Sequence, residues 1–210
     1  MSRGKFITIE GVEGVGKSTN VDYVANHLRR AGLTVVTTRE PGGTPVAEQI
    51  RSVLLDSSPG SVSDACELLL MFAARSSHVE TLIRPALSRG DWVICDRFVD
   101  ATYAYQGGGR GMSTQAIANL EALVLDGLKP DLTLLLDAPL DVAERRRHKR
   151  GTSDRFEVEE REFFERVRQS YRAIARDNPE RVKLVDAGGD IASVTAKLAE
   201  ILSDFLEKSC

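Results

Sequence analysis

The stretch Gly11-Val12-Glu13-Gly14-Val15-Gly16-Lys17-Ser18-Thr19, entered from the apolar run Phe6-Ile7-Thr8-Ile9, decides the fold. It fits the G-x-x-x-x-G-K-[ST] pattern in the setting that pattern requires, a strand before it and a helix after it. Gly11, Gly14 and Gly16 free the backbone to take positive φ and turn its N–H groups inward, and a helix starting near Lys17 adds the positive end of its dipole. Residues Gly11 to Thr19 therefore read as a cradle for the phosphates of a nucleoside triphosphate. Lys17 is expected to reach the β- and γ-phosphates, and the Ser18 hydroxyl to ligate an accompanying Mg²⁺. The plain alternative is a glycine-rich turn, and the preceding strand weighs against it.

Outward from this loop, strand-like runs alternate with longer amphipathic segments, as in a parallel sheet between helices. The expected strands are Phe6–Ile9, Thr34–Thr37, Trp92–Cys95, Leu132–Leu136 and Val182–Val185. From Glu157 to Ala175, Val158, Phe163, Phe164, Val167, Tyr171 and Ile174 recur at helical spacing and predict a core-facing stripe. Gly42-Gly43, Ser57-Ser58-Pro59-Gly60 and Gly107-Gly108-Gly109 read as punctuation, and none is long enough to be a domain linker.

The 210 residues suit one domain. A formal net charge of −3 leaves no electrostatic footprint for polymeric nucleic acid. No apolar stretch approaches membrane-spanning length, and the N-terminus lacks a secretory signal, so the expected location is the cytoplasm. Cys66, Cys95 and Cys210 are too scattered for a disulfide framework or a zinc site.

Open parallel sheets bind ligands beyond the carboxyl ends of their strands. There the third strand ends in Asp96-Arg97. A carboxylate in this place beside a phosphate loop is the usual support for Mg²⁺, with capping of the next helix as the alternative. Arg97 can fork two N–H bonds onto an acceptor phosphate, which lysine cannot.

Together with Thr38-Arg39-Glu40-Pro41-Gly42-Gly43-Thr44, Thr102-Tyr103-Ala104-Tyr105-Gln106-Gly107-Gly108-Gly109-Arg110 and Asp154-Arg155-Phe156-Glu157, these blocks resemble the bacterial thymidylate kinases, in order and across the whole chain. The resemblance implies an α/β P-loop nucleoside monophosphate kinase fold, with a five-stranded parallel sheet flanked by helices in a single domain over residues 1–210. It also implies a homodimer that transfers the γ-phosphate of ATP to dTMP, with Mg²⁺, giving dTDP and ADP for dTTP synthesis.

Carried over from that resemblance, Glu13 matches the loop carboxylate near the acceptor phosphate and sugar. Arg51 and Arg97 match residues near the acceptor phosphate, Arg75 the arginine that bonds the thymine edge, and Thr102 and Gln106 the polar residues on the other side of the base. The family often places an aromatic four residues before the base-reading arginine. Here that position is Met71 and the aromatic is Phe72. One of them is expected to cover the ring, although Leu68 to Ala74 also reads as a plainly buried helix.

The run Arg145-Arg146-Arg147-His148-Lys149-Arg150 is the densest positive charge in the chain. Such runs are usually solvated helix faces. The phosphate loop, however, carries Glu13 and Val15 where an arginine could sit, so charge for the γ-phosphate beyond Lys17 has to come from elsewhere. Residues Arg145 to Phe156 resemble the basic lid of one bacterial subgroup, with Arg146, Arg150 and Arg155 on matching positions. Arg150 and Arg155 join Lys17 and Arg97 as catalytic candidates, and the lid is expected to order only when both nucleotides are bound. The loop Asp186-Ala187-Gly188-Gly189 resembles the family's adenine-wrapping segment, with Ala187 and Gly188 as contacts.

Two other functions fit parts of the pattern: a kinase for UMP, CMP or a deoxynucleoside, and a nucleotide-dependent switch with no acceptor. Arg75 with Gln106 argues against the first, and the second arginine-rich pocket against the second.

Overall fold

Five short runs of β-branched and large apolar residues pair as one parallel sheet. In the computed structural model, which describes residues 3–56, 62–150 and 159–209 (for 56, 149, 150 and 209 the backbone only), each is followed by helix. In chain order the elements are β1 (Phe6–Glu10), α1 (Lys17–Arg30), β2 (Val35–Arg39), α2 (Pro45–Asp56), α3 (Asp64–His78), a π-helical turn Val79–Ile83 and α4 (Arg84–Ser88). Then come β3 (Trp92–Asp96), α5 (Val99–Thr102), a π-helical segment Tyr103–Gly109, α6 (Thr114–Leu125), β4 (Leu132–Asp137), α7 (Leu140–Arg150), α8 (Arg161–Asp177), β5 (Val182–Asp186) and α9 (Ile191–Ser209). The strand order is β2-β3-β1-β4-β5.

β1 lies in the middle of the sheet and is buried along its whole length, as expected of a strand covered on both faces. Successive residues alternate sides. Ile7 and Ile9 join Val24, Leu28, Leu134, Phe164 and Leu198 in one core, while Phe6 joins Val93, Phe72, Ile83, Phe98 and Leu125 in the other.

Four of the expected strands begin where the residues predict and run one residue further, to Glu10, Asp96, Asp137 and Asp186. Each terminal acid reads as loop, yet the ladder continues through it, with Ile9 opposite Asp96 and Asp137 opposite Asp186. β2 is displaced from Thr34–Thr37 to Val35–Arg39. Because all strands are parallel, four carboxylates and Arg39 collect at one end of the sheet, where the phosphate loop also lies.

The described part of the predicted Glu157–Ala175 helix begins at Arg161, with Glu160 as its N-cap in extended backbone; Glu157 and Val158 lie outside the described residues. So does the Ser57-Ser58-Pro59-Gly60 turn. Its stripe packs as expected, with Phe163, Phe164, Val167 and Tyr171 buried.

The Gly107-Gly108-Gly109 run is a correction: it is helical, not a break. The glycines are there for close approach. A Cβ on Gly109 would lie 2.5 Å from Cε2 of the buried Phe163, and one on Gly108 2.6 Å from Cβ of Ser170. Gly109→Ala should therefore destabilise the fold by about 1–3 kcal/mol, overriding alanine's better helix propensity. A lowered Tm checks this; an unchanged or raised Tm would show that α8 yields.

Cys95 is buried in β3 and Cys66 is exposed on α3, both as free thiols, while Cys210 is outside the described residues. Among the described residues, no helix is long and apolar enough to cross a membrane.

Candidate active site

Beyond the carboxyl ends of β1 and β3 opens a cleft of about 410 Å³. The glycine loop forms its floor. Gly11, Gly14 and Gly16 have φ of 134°, 88° and 92°, a region that other L-residues rarely adopt. Space forbids a side chain as well, because a Cβ would fall 2.3 Å from the Leu136 carbonyl oxygen at Gly11 and 2.1 Å from that of Ala143 at Gly14. Val12 and Val15 anchor the loop in the core, and Gly14, Gly16, Lys17, Ser18 and Thr19 face the cleft. Gly16 caps α1 without a side-chain bond, so the first N–H groups of that helix are left for an anion.

Lys17 is 8% exposed and donates from Nζ to the carbonyl oxygens of Gly11, at 3.0 Å, and Val12, at 2.9 Å. Burial, reinforced by the charge of Arg97, pushes its ammonium down to about 8, against the pull of Asp96, Glu13 and Glu10. An arriving phosphate would reverse that balance.

In the middle of the cleft, Arg97 Nη2 donates to Glu13 Oε1 at 2.6 Å and to the Tyr105 hydroxyl at 3.0 Å. Tyr105 in turn donates to Glu13 Oε2. Burial works to raise the Glu13 carboxyl, but Arg97, Lys17 and the Tyr105 hydroxyl together hold it below the usual range. Arg97 has φ of 69°, an uncommon state for a non-glycine residue. Its neighbour in sequence is pinned: the Phe98 N–H donates to Glu10 Oε1 at 2.7 Å, and the Tyr171 hydroxyl to Glu10 Oε2 at 2.7 Å. The turn that presents Arg97 thus rests on a buried carboxyl.

Burial and then Asp100 push that Glu10 carboxyl up to about 8, despite Tyr171, Arg97 and the Phe98 N–H. The folded state therefore keeps a proton that the unfolded chain releases near its ordinary 4.5, and the associated stability is present below that pH and lost as pH rises through about 8. Glu10→Gln, which cannot titrate, should flatten the decline in Tm over this window. An equally steep decline in the variant would place its origin in another group.

At the far end, Arg75 is 3% exposed. It donates from Nε to Glu40 Oε2 at 2.7 Å and from Nη2 to the Phe98 carbonyl at 3.2 Å and Thr102 Oγ1 at 3.0 Å. Its guanidinium stacks over Phe72, 4.8 Å from the ring centroid. Met71, Thr102 and Gln106 line the cleft with it, whereas Phe72 lies behind the arginine in the core. Arg51 also lines the cleft, and its Nη1 donates to the Pro41 carbonyl at 2.8 Å.

Arg146 reaches from α7 to the carbonyls of Ala187, at 2.6 Å, and Gly189, at 2.9 Å. It ties the loop after β5 to the start of the basic run. Arg150 belongs to α7 by its backbone, but its side chain, and all of Arg155, lie outside the described residues. Among the described residues, no group of three or more His, Cys, Asp or Glu is arranged to hold a metal. Asp96 does face the cleft, and its Oδ1 is buried with no hydrogen-bond partner, the nearest cation being Arg97 Nη1 at 4.0 Å.

The structure thus brings the phosphate loop, Asp96, Arg97, Arg51, Met71, Arg75, Thr102 and Gln106 to one cleft. Glu10, Glu40, Glu67 and Tyr105, which support these side chains, were not singled out by the sequence. Glu40 and Tyr105 sit inside the quoted motif blocks, which was the one available signal.

A phosphate loop alone serves switches and motors as readily as transferases. Here the cleft that the loop lines is also lined by the buried polar side chains of Arg75, Thr102 and Gln106, the construction of a P-loop nucleoside monophosphate kinase. The thymidylate kinase family model matches residues 9–198. The chain is 56% identical to the thymidylate kinase of Chromohalobacter salexigens over 208 residues, covering 98% of each, and 53% identical to that of Alcanivorax borkumensis, covering 96% of this chain and 97% of the relative. The crystal structure of thymidylate kinase from Ehrlichia chaffeensis matches with a TM-score of 0.78 at 32% identity, covering 95% of this chain and 99% of that one. The chain belongs to the thymidylate kinase family.

Proposed function

We propose that this chain transfers the γ-phosphate of ATP to dTMP, giving dTDP and ADP, with both nucleotides held in the one cleft. The observation that carries this reading is its continuity: one cleft is lined by the phosphate loop, by Arg97 bonded to Glu13 of that loop, and by Arg75 and Gln106. The attacking atom is a phosphate oxygen of dTMP, already ionised near neutral pH, so no general base is required. A bond forms from that oxygen to the γ-phosphorus as the bond to the β-bridging oxygen of ADP breaks. The protein's task is to bring two anions together and to stabilise charge on the moving phosphoryl group.

Residues Gly11 to Thr19 cradle the ATP phosphates and Lys17 contacts the β and γ groups. Arg97 and Arg51 grip the acceptor phosphate, with Glu13 orienting Arg97. Arg75, Thr102 and Gln106 bond the base edge and Met71 covers its face. The loop at Ala187 and Gly188, held by Arg146, takes the adenine. Arg150 and Arg155, in a basic lid over about 145–156 of a single domain, supply further positive charge over the γ-phosphate.

Mg²⁺ fits beside the loop. A buried carboxylate oxygen without a partner is unfavourable unless a donor or cation reaches it, and Asp96 Oδ1 is in that state. Asp96 and the Ser18 hydroxyl would hold the ion, which when bound neutralises triphosphate charge.

A homodimer in the cytoplasm completes the proposal. Val46 and Val53 on α2, Leu69 on α3 and Leu123 on α6 are more than half exposed, on neighbouring helices. Such apolar surface suits a partner copy.

Turnover with ATP against a panel of dTMP, dUMP, dCMP, UMP and CMP tests the substrate. dTMP is expected to lead; a preference for UMP or CMP would move the chain to another acceptor.

A further inference from the structure

We propose that Glu67 is a specificity-determining positioning residue, which fixes the direction of the Gln106 amide and so makes the cleft accept thymine and reject cytosine. The proposal rests on the reading of Arg75 and Gln106 as the side chains that face the base. An amide can present either its oxygen or its nitrogen to a ligand, and only its surroundings decide which. Gln106 donates from Nε2 to Glu67 Oε1 at 2.8 Å. An ionised carboxylate only accepts, so the opposite orientation would set the amide oxygen against a carboxylate oxygen at a residue that is 0% exposed. Glu67 is held in turn by Arg110, whose Nη2 lies 3.3 Å from its Oε2.

With Nε2 committed, Gln106 has its carbonyl oxygen to offer the cleft it lines. Arg75 offers the complement. Nε and Nη2 are engaged by Glu40, Phe98 and Thr102, while Nη1 is buried and has no partner among the described residues. A donor on Arg75 and an acceptor on Gln106, on the wall of one cleft, match a ring that carries a carbonyl next to an N–H, the O4 and N3–H edge of thymine and uracil. Cytosine presents an amino group and a bare nitrogen there, and both would meet the wrong partner. Leaving buried polar groups unpaired is how a site rejects a near-isostere.

The test is kcat/KM for dTMP and dCMP, with ATP, in the wild type, Glu67→Gln, Gln106→Ala and the double variant. Glutamine at position 67 can accept or donate, so the Gln106 amide is free to turn. The dTMP to dCMP ratio is expected to fall about tenfold or more in Glu67→Gln, carried by KM while kcat for dTMP stays within about threefold. In the Gln106→Ala background, Glu67→Gln should change the ratio no further. Removing one member of a buried ion pair can unfold a protein. Should Glu67→Gln fail to fold, the paired variant Glu67→Gln/Arg110→Gln removes both charges and is expected to show the same fall.

If Gln106→Ala leaves the ratio unchanged, the base-reading assignment is wrong. If Gln106→Ala collapses the ratio but Glu67→Gln does not, that assignment stands and the role of Glu67 is overturned. An equal effect of Glu67→Gln with and without Gln106 would also overturn it, since Glu67 would then act through packing alone.

Discussion

Lys17→Ala is expected to lower turnover with ATP and dTMP by roughly a hundred- to a thousandfold, the usual loss when one preorganised charge is removed from a charged transition state. The fold should survive, because Gly11, Gly14 and Gly16 and the close approach of Leu136 and Ala143 set the loop's course, to which Lys17 Nζ adds two hydrogen bonds. Steady-state rates and thermal melts separate the two effects. The same side chain predicts a pH effect on binding. Its ammonium is pushed down to about 8 and ATP favours the charged form, so ATP affinity of the free enzyme should weaken as pH rises through that value. Lys17→Ala should lack this dependence. A folded variant with near-normal turnover would remove the lysine from the mechanism.

Arg97→Met should cost about a hundredfold or more in kcat/KM for dTMP, while ATP affinity changes only a few-fold. With Arg97 in its proposed role, two charge-assisted bonds to the acceptor phosphate would be lost, each contributing roughly 1.5–3 kcal/mol. A second effect adds to this. Arg97 now bonds Glu13, 2.6 Å away, and its removal leaves that carboxylate beside the incoming phosphates with only Lys17 and Tyr105 to hold it. Arg97→Lys should restore little, because an ammonium cannot fork onto a phosphate and onto Glu13 and Tyr105 together. Full rescue by lysine would show that charge alone, not geometry, is what the position supplies.

Much of this molecule was legible before its structure. Apolar runs between glycines marked all five strands, and the phosphate loop placed itself by its flanks. The acids that close β1, β3, β4 and β5 were read as loop because a polar residue at the end of an apolar run carries no sign that backbone pairing continues. The helical state of Gly107 to Gly109 was hidden for a different reason. The role of Gly108 and Gly109 is to let α8 approach, and Ser170 and Phe163 are more than fifty residues away in the chain.

The same distance concealed the carboxylates behind Arg75 and Gln106. Glu40 with Arg75 and Glu67 with Gln106 are pairs 35 and 39 residues apart, which one sequence cannot join. Between Met71 and Phe72 the sequence could not choose, since both lie about one helical turn before Arg75. Their packing differs: Phe72 stacks beneath the guanidinium, and Met71 is on the cleft wall. Sites of this kind are read from their ligand-facing motifs, while the groups that orient those motifs emerge only once the chain is folded.

One cleft is expected to pass a phosphoryl group between two bound nucleotides and to keep it from water. Phosphorus NMR of the enzyme with ATP, run with and without dTMP, tests this most directly by counting ADP, dTDP and free phosphate in the same sample. ADP and dTDP are expected in equal amounts, with almost no release of ADP when dTMP is withheld. Steady ADP and inorganic phosphate without dTMP, unchanged when it is added, would contradict it.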